Sequence, residues 1–300
     1  MSDTHIHNRG ARVAGERRLR GIDSTCPPYT APNGNGNGRQ SGLAGNLFCD
    51  ASAAGRVLRG VCIYSGSTRL AELAARIGYD TVWIEMEHGP ADFNQVESMC
   101  VAIEAGGAIP TVRVPDGQRH HVLRALEVGA RIVVVPMVDT AAQARQIAEF
   151  GKFPPVGMRG YNTRSRGVSY GLTPVEESFA QANARTHLFA QIETLEAVNN
   201  LHEICAVEGL TGIFIGPGDL SSSVGCPGDL NNPRLVQLVS DCARVARAAD
   251  KHAGILIGPG TTLDAAEAAG CDLIFSGGDV TDLSAVWTRL LASARRVVTL

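Results

Sequence analysis

The chain has 300 residues, 44% hydrophobic and 19% charged, with 5% aromatics and 34 glycines. This supports one large core, or at most two domains, and suits an α/β protein with many short turns. A net charge of -3 and a pI near 6.2 give no reason to expect nucleic acid or an anionic membrane as partner. No apolar run approaches the ~18 residues of a membrane span.

The first stretch, "MSDTHIHNRGARVAGERRLRG", is polar and Arg-rich and lacks the apolar segment of a secretory signal. Asp3 and Glu16 weigh against a transit peptide. "CPPYTAPNGNGNGRQSG" has nothing to bury, so residues 1–42 are expected to form a flexible tail, with His5 and His7 solvated. One domain is expected over 43–300.

From residue 43 the pattern alternates strand and helix. "VLRGVCIY" (57–64) predicts a strand and "LAELAARIG" a helix. "YDTVWIEME" (79–87) predicts the next strand, before the helix "FNQVESMCVAIEAG". "IPTVRVP" (109–115) leads into "HHVLRALEVG", and "RIVVVPMV" (131–138) into "TAAQARQIAEFG". "HLFAQIET" (187–194) leads into "AVNNLHEICAV". "TGIFIGP" (211–217) reaches "LVQLVSDCARVARAAD" after a longer connection. "AGILIG" (253–258) and "DLIFSGG" (272–278) are each followed by a helix. Short apolar strands with both faces covered, eight times over in roughly 250 residues, predict a (β/α)8 TIM barrel. An open doubly wound sheet is the second choice.

The eight cysteines contain no C-x-x-C pair, so a zinc site is not expected. Several sit in apolar runs as reduced thiols would, which points to a reducing cytoplasm.

In a barrel the chemistry gathers where strands end. Strand two ends in Glu85, Glu87 and His88, with Trp83, Glu85 and Glu87 on one face. Strand three carries Arg113. Strand five ends with Gln191 and Glu193 on one face, and strand six runs through Gly218 to Asp219 in "GPGDLS". Each has a bland reading as an ion pair, a turn or a helix N-cap. Their convergence on one pole favours a site. Glu193 and Asp219, at the ends of consecutive strands, would repel unless a cation lies between them. An all-oxygen site with two carboxylates suits a hard divalent ion that keeps open positions. A salt bridge through Arg113 is the rival.

The segments "GYDTVWIEMEHGP", "PTVRVP", "FPPVGMRG", "QIETLEAVNNLHEI" and "GIFIGPGDLS", in this order, resemble the HpcH/HpaI family of metal-dependent class II pyruvate aldolases. The resemblance spans about residues 57–280. It implies a TIM barrel that assembles as a homo-oligomer, a hexamer or trimer, with the C-terminal helix exchanged between neighbours. It implies Glu193 and Asp219 as ligands of Mg²⁺, Mn²⁺ or Co²⁺, with Gln191 and the Gly218 backbone lining the substrate pocket. Arg113 would bind the keto oxygen of a 2-oxo acid, with an aldehyde as the other substrate, and His88 would be the base. Glu127, in "ALEVGA", would orient His88. The sequence departs from the family at Glu85 and Glu127, where the family carries Asp. Oxaloacetate decarboxylation would pass through the same enolate. A macrophomate synthase-like coupling of that enolate to an unusual acceptor, and a non-catalytic binding barrel, are the alternatives. The glycine-rich basic loop 154–174, with Arg159, Tyr161, Arg164, Arg166 and Tyr170, reads as a lid or as a subunit contact.

Overall fold

The computed structural model describes residues 47–258 and 263–297; the predicted tail, with His5 and His7, lies outside them. Eight parallel strands close in sequence order: β1 (Leu58–Ile63), β2 (Thr81–Glu85), β3 (Ile109–Arg113), β4 (Ile132–Val135), β5 (His187–Ile192), β6 (Gly212–Ile215), β7 (His252–Ile257) and β8 (Leu273–Gly278). β8 pairs back onto β1. The fold is the expected (β/α)8 barrel. Helices α1 (Leu47–Ala53), α2 (Thr68–Ile77), α3 (Phe93–Ala105), α4 (Arg119–Glu127), α5 (Ala141–Gly151), α6 (Val175–Arg185), α7 (Leu195–Asn199), α8 (Leu201–Cys205), α9 (Pro217–Ser223), α10 (Pro233–Ala248), α11 (Leu263–Ala268) and α12 (Asp279–Val297) complete the described structure.

Period-two alternation divides each strand between two cores. Outward residues such as Val82, Ile84, Val112, Val133 and Ile213 pack beneath the helices. Inward residues fill the barrel with Leu58, Trp83, Ile109, Phe189, Phe214 and Phe275. Trp83 lies 4.9 Å from Phe214 and 5.1 Å from Phe275, centroid to centroid. These rings fit because glycines face them: a Cβ on Gly254 would stand 2.5 Å from the Phe214 ring.

Three helices escaped the sequence pattern: α1, α6 and α9. Of these, α1 and α9 span seven residues each, and tertiary burial holds helices this short. Phe48 and Ala51 of α1 close the barrel floor, against the ring of His187 at the start of β5 and that of His252 at the start of β7. The thiols of Cys62, Cys100, Cys205, Cys242 and Cys271 are free and buried, as expected. Cys49 departs from that expectation: it is disulfide-bonded.

Candidate active site

The mouth at the C-terminal ends of the strands is organised around Glu85. Register sets Glu85 opposite Arg113 on β3, and both point inward. Glu85 is 1% exposed, so its charge needs several partners. Its Oε1 accepts the backbone N–H groups of Glu87 (2.6 Å) and His88 (3.1 Å). Its Oε2 accepts the Trp83 indole N–H (3.0 Å) and the Arg113 Nε–H (2.8 Å), and forms an ion pair with Arg113 Nη2 at 2.6 Å. One carboxylate thus fixes the turn that carries His88 and the angle of Arg113. Burial alone would lower the pKa of Arg113, but the hydrogen bond and charge of Glu85, with Glu87, raise it instead. The rival reading, Arg113 paired with Glu193 or Asp219, is not what the chain builds: its carboxylate partners are Glu85 and Glu87.

Glu87 stands above this pair. Its Oε2 lies 2.9 Å from Arg113 Nη1 and 3.8 Å from His88 Nε2. Neither contact has hydrogen-bond alignment, and Oε2 is buried without a hydrogen-bond partner. Burial raises its pKa; Arg113 and His88 oppose this, while Glu85 and Asp219 add to it. The His88 side chain is 64% exposed at the rim.

Across the barrel, Glu193 follows β5 and is 2% exposed. Its Oε1 accepts the Met137 N–H at 2.7 Å and its Oε2 accepts the Gln191 amide at 2.5 Å. Met137 takes a left-handed conformation, φ 54°, at the end of the "VVVPMV" segment. Burial pushes Glu193 up to about 7; those two donors pull it down, and the charges of Glu87 and Asp219 add to the rise. Gln191 Oε1 is buried with no partner. Gly216, just past β6, leaves this space open: a Cβ there would stand 2.8 Å from Glu193 Oε2 and 3.0 Å from Gln191 Nε2. Pro217 at the start of α9 then turns the chain so that Gly218 and Asp219 lie exposed in its first turn.

These features fit a cation. The donors are oxygens, one carboxylate is held against its own repulsion, and a buried amide oxygen awaits a partner. No group of three His, Cys, Asp or Glu suited to a metal occurs among the described residues; Glu193 and Asp219 are the carboxylates here that could hold one.

Two expectations need correction. Glu127 is not brought to His88 within the chain. It ends α4, with its carboxylate accepting the Asn162 amide at 2.8 Å in a groove between α3 and α4. Helices run back from the mouth, so the end of α4 is carried away from the strand ends. The loop 154–174 is likewise no lid on this mouth. It follows α5 and lies along the outside of α3 and α4, with Arg166 paired to Glu104 and Gly160 beside Arg119 and Leu123. Arg159 is buried over the Phe153 ring at 4.6 Å.

Sequence reasoning missed two contributors: the Met137 N–H and the open space at Gly216. Only Gly216 carried a signal, in "GPG".

A family model described as HpcH/HpaI aldolase/citrate lyase matches residues 60–271. The 2-keto-3-deoxy-L-rhamnonate aldolase of Klebsiella pneumoniae is 37% identical over 215 residues, 71% of this chain and 80% of that protein. The protein of the same name from Escherichia coli K12 is 36% identical over the same shares. Among solved structures, an HpcH/HpaI aldolase/citrate lyase family protein from Burkholderia cenocepacia J2315 superposes with a TM-score of 0.74 at 31% identity, covering 80% of this chain and 95% of that one. Macrophomate synthase superposes with a TM-score of 0.73 at 25% identity, covering 84% and 88%.

Proposed function

The chain belongs to the HpcH/HpaI aldolase/citrate lyase family, and on that premise we propose that it is a class II carbon–carbon lyase acting on 2-oxo acids. The reaction is the reversible aldol addition of a pyruvate-type enolate to an aldehyde. The named relatives support a 2-oxo-3-deoxy sugar acid as the class of cleaved substrate. The single observation that carries the reading is the Glu193 centre, a buried carboxylate pushed up to about 7 beside the open Gly216 space and the unpartnered Gln191 oxygen.

Glu193 and Asp219 would hold a divalent cation, Mg²⁺, Mn²⁺ or Co²⁺. When bound, it supplies Lewis-acid stabilisation of negative charge on the substrate's keto oxygen. Gln191 and the Gly218 backbone line the same pocket. Arg113, locked by Glu85, adds fixed positive charge that needs no reorientation during reaction. His88, on the rim turn that Glu85 organises, moves the proton. Glu85 and Glu87 position Arg113 and His88 and do not touch substrate.

The assembly is a homo-oligomer in this reading. Nearly every described side chain of α12 is exposed, with Trp287 at 64% and Leu290 at 62%, a face that calls for a partner. A second copy also restores a role for Glu127: it orients His88 from the partner subunit, since it does not reach His88 within its own chain. No described helix is long and apolar enough to cross a membrane, and the cytoplasm is the proposed location.

The test is exchange of the pyruvate methyl protons in D₂O, followed by NMR, with Mg²⁺, Mn²⁺, Co²⁺ or chelator. Exchange that needs metal and disappears in Glu193→Ala is expected. Metal-independent exchange, or none with any metal, would sink the reading. Product analysis with oxaloacetate separates simple aldol chemistry from coupling to an unusual acceptor.

A further inference from the structure

The mouth holds a tyrosine hydroxyl that the mechanism above leaves unused. Tyr64 directly follows β1 and packs on the barrel interior together with Cys62, Trp83 and Phe275. It is pinned from two sides. The Tyr64 N–H donates to Asp279 Oδ1 at 2.8 Å and the Ser65 N–H to Asp279 Oδ2 at 3.1 Å. The ring lies on Gly278, where a Cβ would stand 3.4 Å from Cδ2 and Cε2. Burial and nearby negative charge, with Arg113 opposing, push the phenol up to about 12. It therefore remains a proton donor at neutral pH. Its hydroxyl has no hydrogen-bond partner among the described residues.

In a closed ring of eight strands β1 stands opposite β5. The Glu193 centre therefore lies on one wall, Arg113 on β3 between, and Tyr64 on the far wall. A substrate whose acid end sits at Glu193 and Arg113 extends its remaining carbons across the mouth. We propose that Tyr64 binds the acceptor half of the substrate, its hydroxyl donating a hydrogen bond to the oxygen on C4 of a 4-hydroxy-2-oxo acid. This rests on the aldolase reading and deepens it. In cleavage the C3–C4 bond breaks and its electron pair passes to the enolate. The C4 hydroxyl proton leaves to the base and the oxygen becomes the aldehyde carbonyl. Tyr64 donates to that oxygen throughout and transfers no net proton. It contributes by holding C4 in line and by stabilising charge on its oxygen as the proton departs.

Tyr64→Phe in the full chain tests this, because the ring and its contact with Gly278 are kept. Two rates are compared, methyl exchange of pyruvate, which has no C4 oxygen, and cleavage of 4-hydroxy-2-oxopentanoate, which has one. Exchange and the KM for pyruvate are expected to stay within about twofold, while kcat/KM for cleavage falls about 10- to 100-fold. Unchanged cleavage would overturn the assignment. So would an equal fall in both rates, which would place Tyr64 at the acid half or in a purely structural role. Wild-type protein that exchanges no protons fails at the earlier step and removes the aldolase reading itself, and this assignment with it.

Discussion

Glu85 and Arg113 sit opposite one another on neighbouring strands and meet at a single oxygen, Oε2, which accepts from Nε and pairs ionically with Nη2. The Glu85 side chain is fully buried and that of Arg113 is 10% exposed. The other oxygen of Glu85 organises the His88 turn. The burial of Arg113 and the geometry of the His88 turn therefore both depend on one carboxylate.

Glu85→Gln is expected to destabilise the fold by about 3–5 kcal/mol, the usual result of breaking a buried pair from one side. Glu85→Asp keeps the charge but withdraws it by a methylene, so it cannot span both the backbone N–H pair and the guanidinium. An intermediate loss of stability and at least a tenfold loss of kcat are expected, about 1.4 kcal/mol in barrier. Urea unfolding and steady-state kinetics read both. Wild-type stability and rate in Glu85→Gln would refute the role.

Gly216→Ala is expected to leave the barrel folded and damage the cation site. Its Cβ would press on Glu193 Oε2 and Gln191 Nε2. Disturbing the partners of a metal ligand weakens affinity by about 10- to 100-fold. Calorimetric titration with Mn²⁺ measures this, and unchanged affinity alongside unchanged melting would show that Gly216 has no part in the site.

Alkaline stability follows from the buried thiols. Burial raises Cys205 to about 11 and both Cys242 and Cys271 to about 12, and raises Cys62 and Cys100 as well. In the unfolded chain these thiols ionise near 9, so above that pH the folded state binds more protons and stability falls as pH rises. Lys152 acts in the opposite sense. Burial lowers it to about 8, with Arg159 adding, so from pH 8 upward it adds stability as the unfolded chain keeps the proton that the folded one releases. The thiols are more numerous, and a net loss of stability from pH 9 to 11 is expected in denaturant melts. Lys152→Met should make that loss steeper.

Trp287→Glu on α12 is expected to reduce the oligomer measured by light scattering, because it places a charge on an exposed apolar face. If a partner subunit completes the His88 site, methyl exchange per chain falls with it. A full-size oligomer in this variant would exclude the α12 face from assembly.

The sequence by itself determined the order of the eight strand–helix units and the layers, though not the helices α1, α6 and α9. Alternating apolar strands and helices admit few solutions once both sheet faces are covered, and eight such units close into a ring. It also placed Glu85, Glu87, Arg113, Gln191, Glu193 and Asp219 at strand ends, because strand period fixes which residues share a face. Tertiary structure alone decided who meets whom. Register across β2 and β3 gave Arg113 to Glu85, and a backbone N–H at Met137, which carries no side-chain signature, came to hold Glu193. The return of α4 away from the mouth separated Glu127 from His88, and the path of the chain after α5 laid residues 154–174 along the outside of α3 and α4. Local pattern reports periodicity along the chain, whereas these contacts depend on how distant segments turn back on one another.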